Sequence, residues 1–284
     1  MTVNWLPSPR ELIRQERRKK IAQRKFLIAG LSTFVVLAGL IALVITSPGW
    51  EIVKKTFFDI EYGREVIPTV IKGIFLNIKL TLIGSLCIGA IALLLAILRT
   101  TRSAALTPFR LLATAYVDIF RGIPLLLVIF LIGFGVPALR LKGVTSNVTI
   151  LGTTAVVITY SAYVAEVIRS GILSIHPSQR AAARSLGLSH SQSMRYIVLP
   201  QALRRVVPPL LNDFVALLKD TGLVSILGVI DAIRAAQINA SRTFNYTPYV
   251  VAALLFLCIT IPLTRYTDRA LRHTYARQNS EGSI

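Results

Sequence analysis

Acidic residues are scarce in this chain, 13 Asp and Glu against 32 Lys and Arg in 284 residues, and histidine and cysteine are scarcer still, at 3 and 2. His176, His190 and His273 are scattered, and no His-Glu-x-x-His spacing occurs, which argues against a metal site. Cys87 and Cys258 both fall in apolar runs, so they read as packing residues and not as a disulfide. There is no Gly-x-x-x-x-Gly-Lys-Ser/Thr segment, nor any Gly-Lys pair, so the chain carries no phosphate-cradling loop of its own. A Gly-x-Ser-x-Gly elbow is also missing. With no catalytic constellation left, a membrane-bound enzyme is disfavoured.

What is abundant is uncharged sequence. The chain is 54% hydrophobic and only 16% charged. No charged side chain occurs in Phe26–Trp50, Leu80–Leu98, Gly122–Leu139, Gly143–Ala165 or Thr243–Thr264. Each window is about 18 residues or more, enough helix at about 1.5 Å per residue to cross a hydrocarbon core of about 30 Å. Backbone groups in lipid must be bonded within their own segment, so these windows predict helices. Val206–Ile230 is mostly apolar but holds Asp213, Lys219 and Asp220, and it makes a sixth span. The expected spans are 27–46, 70–98, 109–138, 148–168, 206–228 and 247–265. The expected fold is therefore an all-α membrane protein of about six transmembrane helices.

The formal charge of +19 is explained by topology and not by nucleic acid. With both termini cytoplasmic, 21 of the 32 Lys and Arg fall in inside segments and 8 in outside loops. That is the positive-inside bias, and it orients the chain. The N-terminal RQERRKKIAQRK followed by an uncharged run reads as an uncleaved signal anchor. The expected organisation is a basic tail (1–25), an extra N-terminal helix and outside segment (26–69), a main membrane domain (70–269) containing a cytoplasmic loop (170–205), and a basic tail (270–284).

That loop stands out as a polar unit between apolar spans. Pro177 suits the first turn of a helix, SQRAAARSL continues it, and Gly187 suits the left-handed turn that closes it. Ser189-His-Ser-Gln192 is a capping-box pattern, and Pro200 is expected to limit the second helix. Ala182, Ala183 and Leu186 give the first helix a small-residue face, a compact knob more suited to a groove than to a membrane surface.

The loop resembles that of the permease subunits of ABC importers, and specifically the polar amino-acid branch. Their cytoplasmic "EAA" loop reads roughly Glu-Ala-Ala, three residues, Gly, nine residues, Ile-x-Leu-Pro. Here Ala181-Ala182-Ala183, Gly187 and Ile197-Val198-Leu199-Pro200 keep that spacing, with Ala181 at the Glu position. YVDIFRGIPLLLVIF, SAYVAEVIRSGILSI and LPQALRRVVPPLLNDFVALLKDTGLVSILG resemble further segments of that branch, in the same order. The resemblance spans about Thr69 to Arg269.

The resemblance implies a type I importer fold and a transport subunit with no enzymatic activity. Two permeases, the second a copy or a related chain, sit over a cytoplasmic ABC ATPase dimer that uses ATP and Mg. An extracytoplasmic amino-acid-binding protein delivers substrate, and the assembly sits in the bacterial inner membrane. The resemblance makes Ala181, Ala182, Ala183, Leu186, Gly187 and Leu188 the ATPase-coupling residues. This chain itself is expected to bind no cofactor or nucleic acid.

Charges inside spans are costly and seldom face lipid. Lys219, Asp220 and Thr221 either offer a zwitterionic substrate its cation and its acceptor, or hold helices together. Asp118 and Arg121, and Glu166 and Arg169, are spaced three apart as helical ion pairs and are candidate gate contacts. Asn77 and Lys79 lie in the second span, where Lys79 can reach outward to the headgroups. The main alternative is a stand-alone secondary amino-acid carrier or channel. That class more often shows inverted repeats, and none is visible here.

Overall fold

A computed structural model describes residues 9–101 and 103–281. The start of the basic N-terminal tail, Arg102 and the last three residues lie outside the described residues. The chain divides into two compact units, Met1–Thr56 and Phe57–Ile284.

In the first unit, helix α1 (Pro9–Ile45) runs without interruption from the basic stretch through the first apolar window. Its apolar side chains, among them Phe26, Leu31, Phe34 and Leu43, are exposed, as suits a rod surrounded by lipid. A short helix α2 (Trp50–Phe57) follows.

The second unit is built on α3 (Ile60–Thr100) and α7 (Val148–Leu173). Asp59 starts α3 by accepting from the Tyr62 backbone N–H. The helix buries one stripe, including Val66, Val70, Gly73, Asn77, Thr81, Gly84, Ile88, Ala92 and Ala96, and exposes Phe75, Leu82, Leu86 and Leu94. The buried stripe is rich in small residues, the composition that lets membrane helices approach closely. A Cβ on Gly73 would collide with the backbone of Asp231 and Ala232, so this glycine sets how near α3 lies to the start of α11 (Ala232–Thr243). Gly171 on α7 plays the same part against Val206.

The third expected span, 109–138, is not one rod. It breaks into α4 (Thr107–Gly122) and the run of α5 (Leu125–Phe130), a π turn (Leu131–Gly135) and α6 (Val136–Ala138), and the two parts are bent by 105°. The cause is Gly122-Ile123-Pro124: Pro124 has no N–H and forces Ile123 into an extended conformation, φ −98°, ψ 132°.

Beyond α7 come α8 (Pro177–Ser185), α9 (His190–Ser193), a π turn (Met194–Val198) and α10 (Leu199–Asp220). Pro200 does not limit the second loop helix, as the sequence had suggested. The π turn shifts the hydrogen-bond register, with Leu199 N–H bonded to the Met194 carbonyl, and the helix passes through the proline into α10. The fifth span therefore starts inside the expected loop. It ends in a 3-10 stretch, Thr221–Leu227, closed by Gly228 at φ 92°. α12 (Thr247–Glu281) extends the last span into the basic tail.

Among the described residues, four helices are long and apolar enough to cross a membrane, or five if the bent pair is one span. α10 is not among them, because Arg204, Arg205, Asp213, Lys219 and Asp220 break up its apolar character. α11, between spans five and six, was not anticipated from the sequence. Cys87 and Cys258 are exposed and free, so they are not core packing residues.

Candidate functional site

The loop forms as its residues suggest. Gly187 stands at φ 75°, with its N–H on the Arg184 carbonyl (2.9 Å) and the Leu188 N–H on the Ala183 carbonyl (3.1 Å). This pair of bonds is the Schellman closure of α8. On the other side of the turn, Ser189 Oγ accepts from Gln192 N–H (3.2 Å) while Gln192 Oε1 accepts from Ser189 N–H (2.9 Å), a complete capping box. Two arginines, Arg180 on α8 and Arg205 on α10, tie the two flanks of the loop to the end of α7. Arg180 donates to the Ile172 carbonyl (2.8 Å) and Arg205 to the Ser174 carbonyl (2.7 Å), satisfying carbonyls that a helix end leaves open.

The knob presents Ala181, Ala182, Leu186 and Gly187 to solvent, with Leu188 half-buried. Ala183 differs from expectation. It is buried, because a helix turns about 100° per residue and Ala183 faces the body of the protein. Leu186, 78% exposed, is the largest apolar group on the knob, and nothing within 4 Å would obstruct a side chain at Gly187.

Above the loop, one carboxylate gathers three arginines. Glu166 on α7 accepts from Arg99 of α3 at 2.6 Å and from Arg169 at 2.6 Å, with Arg121 of α4 at 3.7 Å. The Glu166–Arg169 pair is present at its helical spacing. Arg121, however, turns to Glu166; exposed Asp118 makes no ion pair within 4.0 Å among the described residues. Tyr163, nearly one turn earlier on α7, donates to the Arg121 carbonyl (3.3 Å), holding the end of α4 against α7. The cluster thus joins three helix ends that sequence spacing could not bring together.

At the end of α10 the three candidate residues diverge. Lys219 is exposed and lines a groove of about 620 Å³ against Thr260, Thr264, Arg265 and Asp268 of α12. Asp220 turns to α7, where its Oδ2 accepts from the Tyr160 hydroxyl at 2.7 Å. Thr221 is buried, donates to the Leu218 carbonyl and faces Asn77 of α3. Adjacent helical residues point about 100° apart, so these three do not form one site within a single chain.

Asn77 belongs to a fully buried polar knot that sequence reasoning left half-read. Its amide donates to Asp231 Oδ2 (3.0 Å), and its Oδ1 accepts from the Ala232 N–H (3.2 Å). Asp231 Oδ1 caps α11 through the Arg234 N–H (2.9 Å). The readable signal was Asp231 immediately before an alanine-rich helical run. Lys79 is exposed, consistent with an outward-reaching ammonium.

Comparison with known proteins places these features in context. Residues 103–273 match the family described as "Binding-protein-dependent transport system inner membrane component". The "Probable glutamine ABC transporter permease protein GlnM" of Bacillus subtilis (strain 168) is 38% identical over 202 residues, covering 69% of this chain and 88% of that protein. The "Arginine transport system permease protein ArtQ" of the same organism is 30% identical over 70% of this chain and 89% of its own length. The solved "Crystal structure of an amino acid ABC transporter with histidines" superposes with a TM-score of 0.66 at 33% identity, covering 72% of this chain and 94% of that one.

Proposed function

Because this chain belongs to the inner-membrane components of binding-protein-dependent transport systems, and is the permease subunit of an ABC importer, we propose that it carries a polar amino acid inward, driven by a separate cytoplasmic ATPase dimer through the Ser178–Leu203 loop. Membership of this family sets aside the stand-alone carrier. The ATP and Mg belong to the partner. In this reading both termini are cytoplasmic, two permeases (copies or related chains) enclose the path, and an extracytoplasmic binding protein delivers the substrate.

The observation that carries the coupling role is the construction of the loop. A double-capped helix pair, anchored to the end of α7 by Arg180 and followed by α10, whose Arg205 holds the same helix end, is rigid enough to transmit force through a small contact. Ala181, Ala182, Leu186 and Gly187 form the docking surface, Leu188 supports it at the turn, and Ala183 packs it down from behind. The Glu166 cluster, with Arg99, Arg121 and Arg169, ties the inner ends of α3, α4 and α7 and acts as a gate latch; Asp118 lies outside the direct ion pairs found among the described residues. Lys219, in its open groove, is the cation offered to a substrate carboxylate. Asp220 and Thr221 serve by holding the end of α10 against α7 and α3.

The test is co-expression with the partner ATPase and reconstitution with the binding protein, followed by ATP-dependent uptake of L-glutamine and L-arginine. The amino-acid reading predicts ATP-dependent accumulation of one of them. Uptake that persists without the ATPase, or none of either amino acid by an assembled complex, overturns it.

A further inference from the structure

Beside the Leu186–Gly187 turn the loop encloses a recess of about 390 Å³, walled by the end of α7, by α8 and α9 and by the π turn that follows them. At about 30 Å³ per water it has room for roughly a dozen water-sized groups, the bulk of one or two side chains. Leu188, Met194 and Val198 supply apolar wall, and Arg180, Arg184 and His190 supply the basic groups. Arg184 and Leu188 flank the turn in sequence, so the recess borders the knob's docking surface.

Cations line this recess without an anion to match them. From Arg169 to Asn212 the chain carries six Arg and neither Asp nor Glu, and Ala181 stands at the Glu position of the loop motif. Glu166, the last carboxylate before this stretch, is held by Arg99 and Arg169 at 2.6 Å each. Arg180 gives one N–H to the Ile172 carbonyl, and its buried Nε has no hydrogen-bond partner among the described residues. Arg184, exposed on α8, has no carboxylate within 4.0 Å among the described residues. A guanidinium pairs best with a planar carboxylate, through two N–H donors at once. These charges line a hollow, which a flat lipid surface cannot enter and a protruding acidic side chain can. A helix lying on a membrane turns large apolar residues outward. Here Val198 is buried, and Leu188 and Met194 are half-buried around the hollow.

From this geometry we infer that the recess is a socket for an acidic segment of the partner ATPase, a Glu or Asp next to an apolar residue. This rests on the coupling reading and deepens it. The contact is reciprocal: the Leu186–Gly187 knob enters the partner's groove, and the partner's carboxylate enters this socket to meet Arg184. Arg180 adds positive field behind it, and the apolar neighbour packs on Leu188, Met194 and Val198. Because the loop supplies cations alone, it selects an ATPase whose docking surface is acidic and repels one whose surface is basic.

The test uses the purified permease in phosphatidylcholine vesicles, which carry no anionic lipid, and the purified cognate ATPase. Wild-type affinity should fall as sodium chloride rises. Arg184→Glu should weaken binding roughly tenfold or more, with an unchanged unfolding midpoint because Arg184 is exposed. Arg184→Lys should lose less. Met194→Trp provides a second variant that narrows the socket and leaves every charge in place; it should weaken binding without altering the salt dependence. ATPase variants selected for restored binding to Arg184→Glu should exchange an Asp or Glu for Lys or Arg, a swap that a purely structural role for Arg184 would not reward. Wild-type affinity in Arg184→Glu or in Met194→Trp, or binding indifferent to salt, would overturn the socket. A loss that appears only once phosphatidylglycerol is added to the vesicles would overturn it too, and would give the arginines to lipid. If Arg184-dependent ATPase binding is found but no amino acid is taken up, the socket stands and the amino-acid reading falls. If Gly187→Leu loses the ATPase while Arg184→Glu keeps it, the coupling reading stands and the socket alone falls.

Discussion

Replacing Gly187 separates two physical effects that the coupling role combines. At φ 75° an L-residue is strained, by roughly 1–2 kcal/mol, which shifts the balance between the closed turn and open forms by a factor of about 5–30. No atom lies within 4 Å of the Cβ position, so in the isolated permease alanine and leucine meet the same strain and no added clash. Asparagine, which visits the left-handed region readily, should be milder than either. The docked state differs, because a partner groove closes over the knob and feels bulk directly. Co-purification of the ATPase with membranes should therefore fall modestly for Gly187→Ala, less for Gly187→Asn and much more for Gly187→Leu, while membrane insertion is unchanged. ATP-dependent uptake should follow the same order. If Gly187→Leu and Gly187→Ala lose equal amounts of ATPase, the loss is backbone strain alone and no surface is docked on this turn. If Gly187→Leu binds like wild type, the coupling role is wrong.

Lys219→Met should raise the apparent KM for substrate uptake while leaving ATPase co-purification intact, and an unchanged KM and rate would remove Lys219 from the path. Glu166→Gln leaves Arg99, Arg121 and Arg169 facing one another without their carboxylate. For a partly exposed cluster the cost is about 1–3 kcal/mol, visible as a lower unfolding midpoint and as ATP hydrolysis no longer dependent on substrate. Gly73→Val pushes a branched side chain into the Asp231–Ala232 backbone and should destabilise the membrane domain by about 1–3 kcal/mol or more, whereas Gly89→Ala, in open space, should not. Asp231→Leu removes both the α11 cap and the partner of buried Asn77; assembly should drop sharply, and a wild-type unfolding midpoint would contradict the polar knot.

The long uncharged windows made α1, α3, α7 and α12 readable, because length without charge is what a bilayer demands. The loop was readable for a different reason: Gly187, Ser189 and Gln192 each have one conformational task, and local chemistry decides it. The misses share a cause in tertiary context. Pro124 did break a helix as its chemistry requires, yet it sat in an apolar window that looked continuous. Pro200 did not, because the π turn at Met194–Val198 absorbed the missing donor. Arg121 found Glu166 rather than Asp118, since a carboxylate on a packed neighbouring helix lies nearer than one on its own exposed face. No spacing rule links Tyr160 to Asp220 or Asn77 to Asp231; the first pair meets only when α7 and α10 pack, the second only when α3 meets the start of α11.

The π turn carries a consequence for motion. Since it spares the chain a break at Pro200, the stretch from His190 to Asp220 is one uninterrupted shaft, about 45 Å long at 1.5 Å per residue. A shaft pivoting at its base amplifies: about 10° of rotation at its His190 end sweeps the far tip through roughly 8 Å, by that same rise. The tip carries Lys219 and Asp220, so a displacement at the His190 end reaches them as leverage, passing on the way through the Pro208–Pro209 step inside the helix.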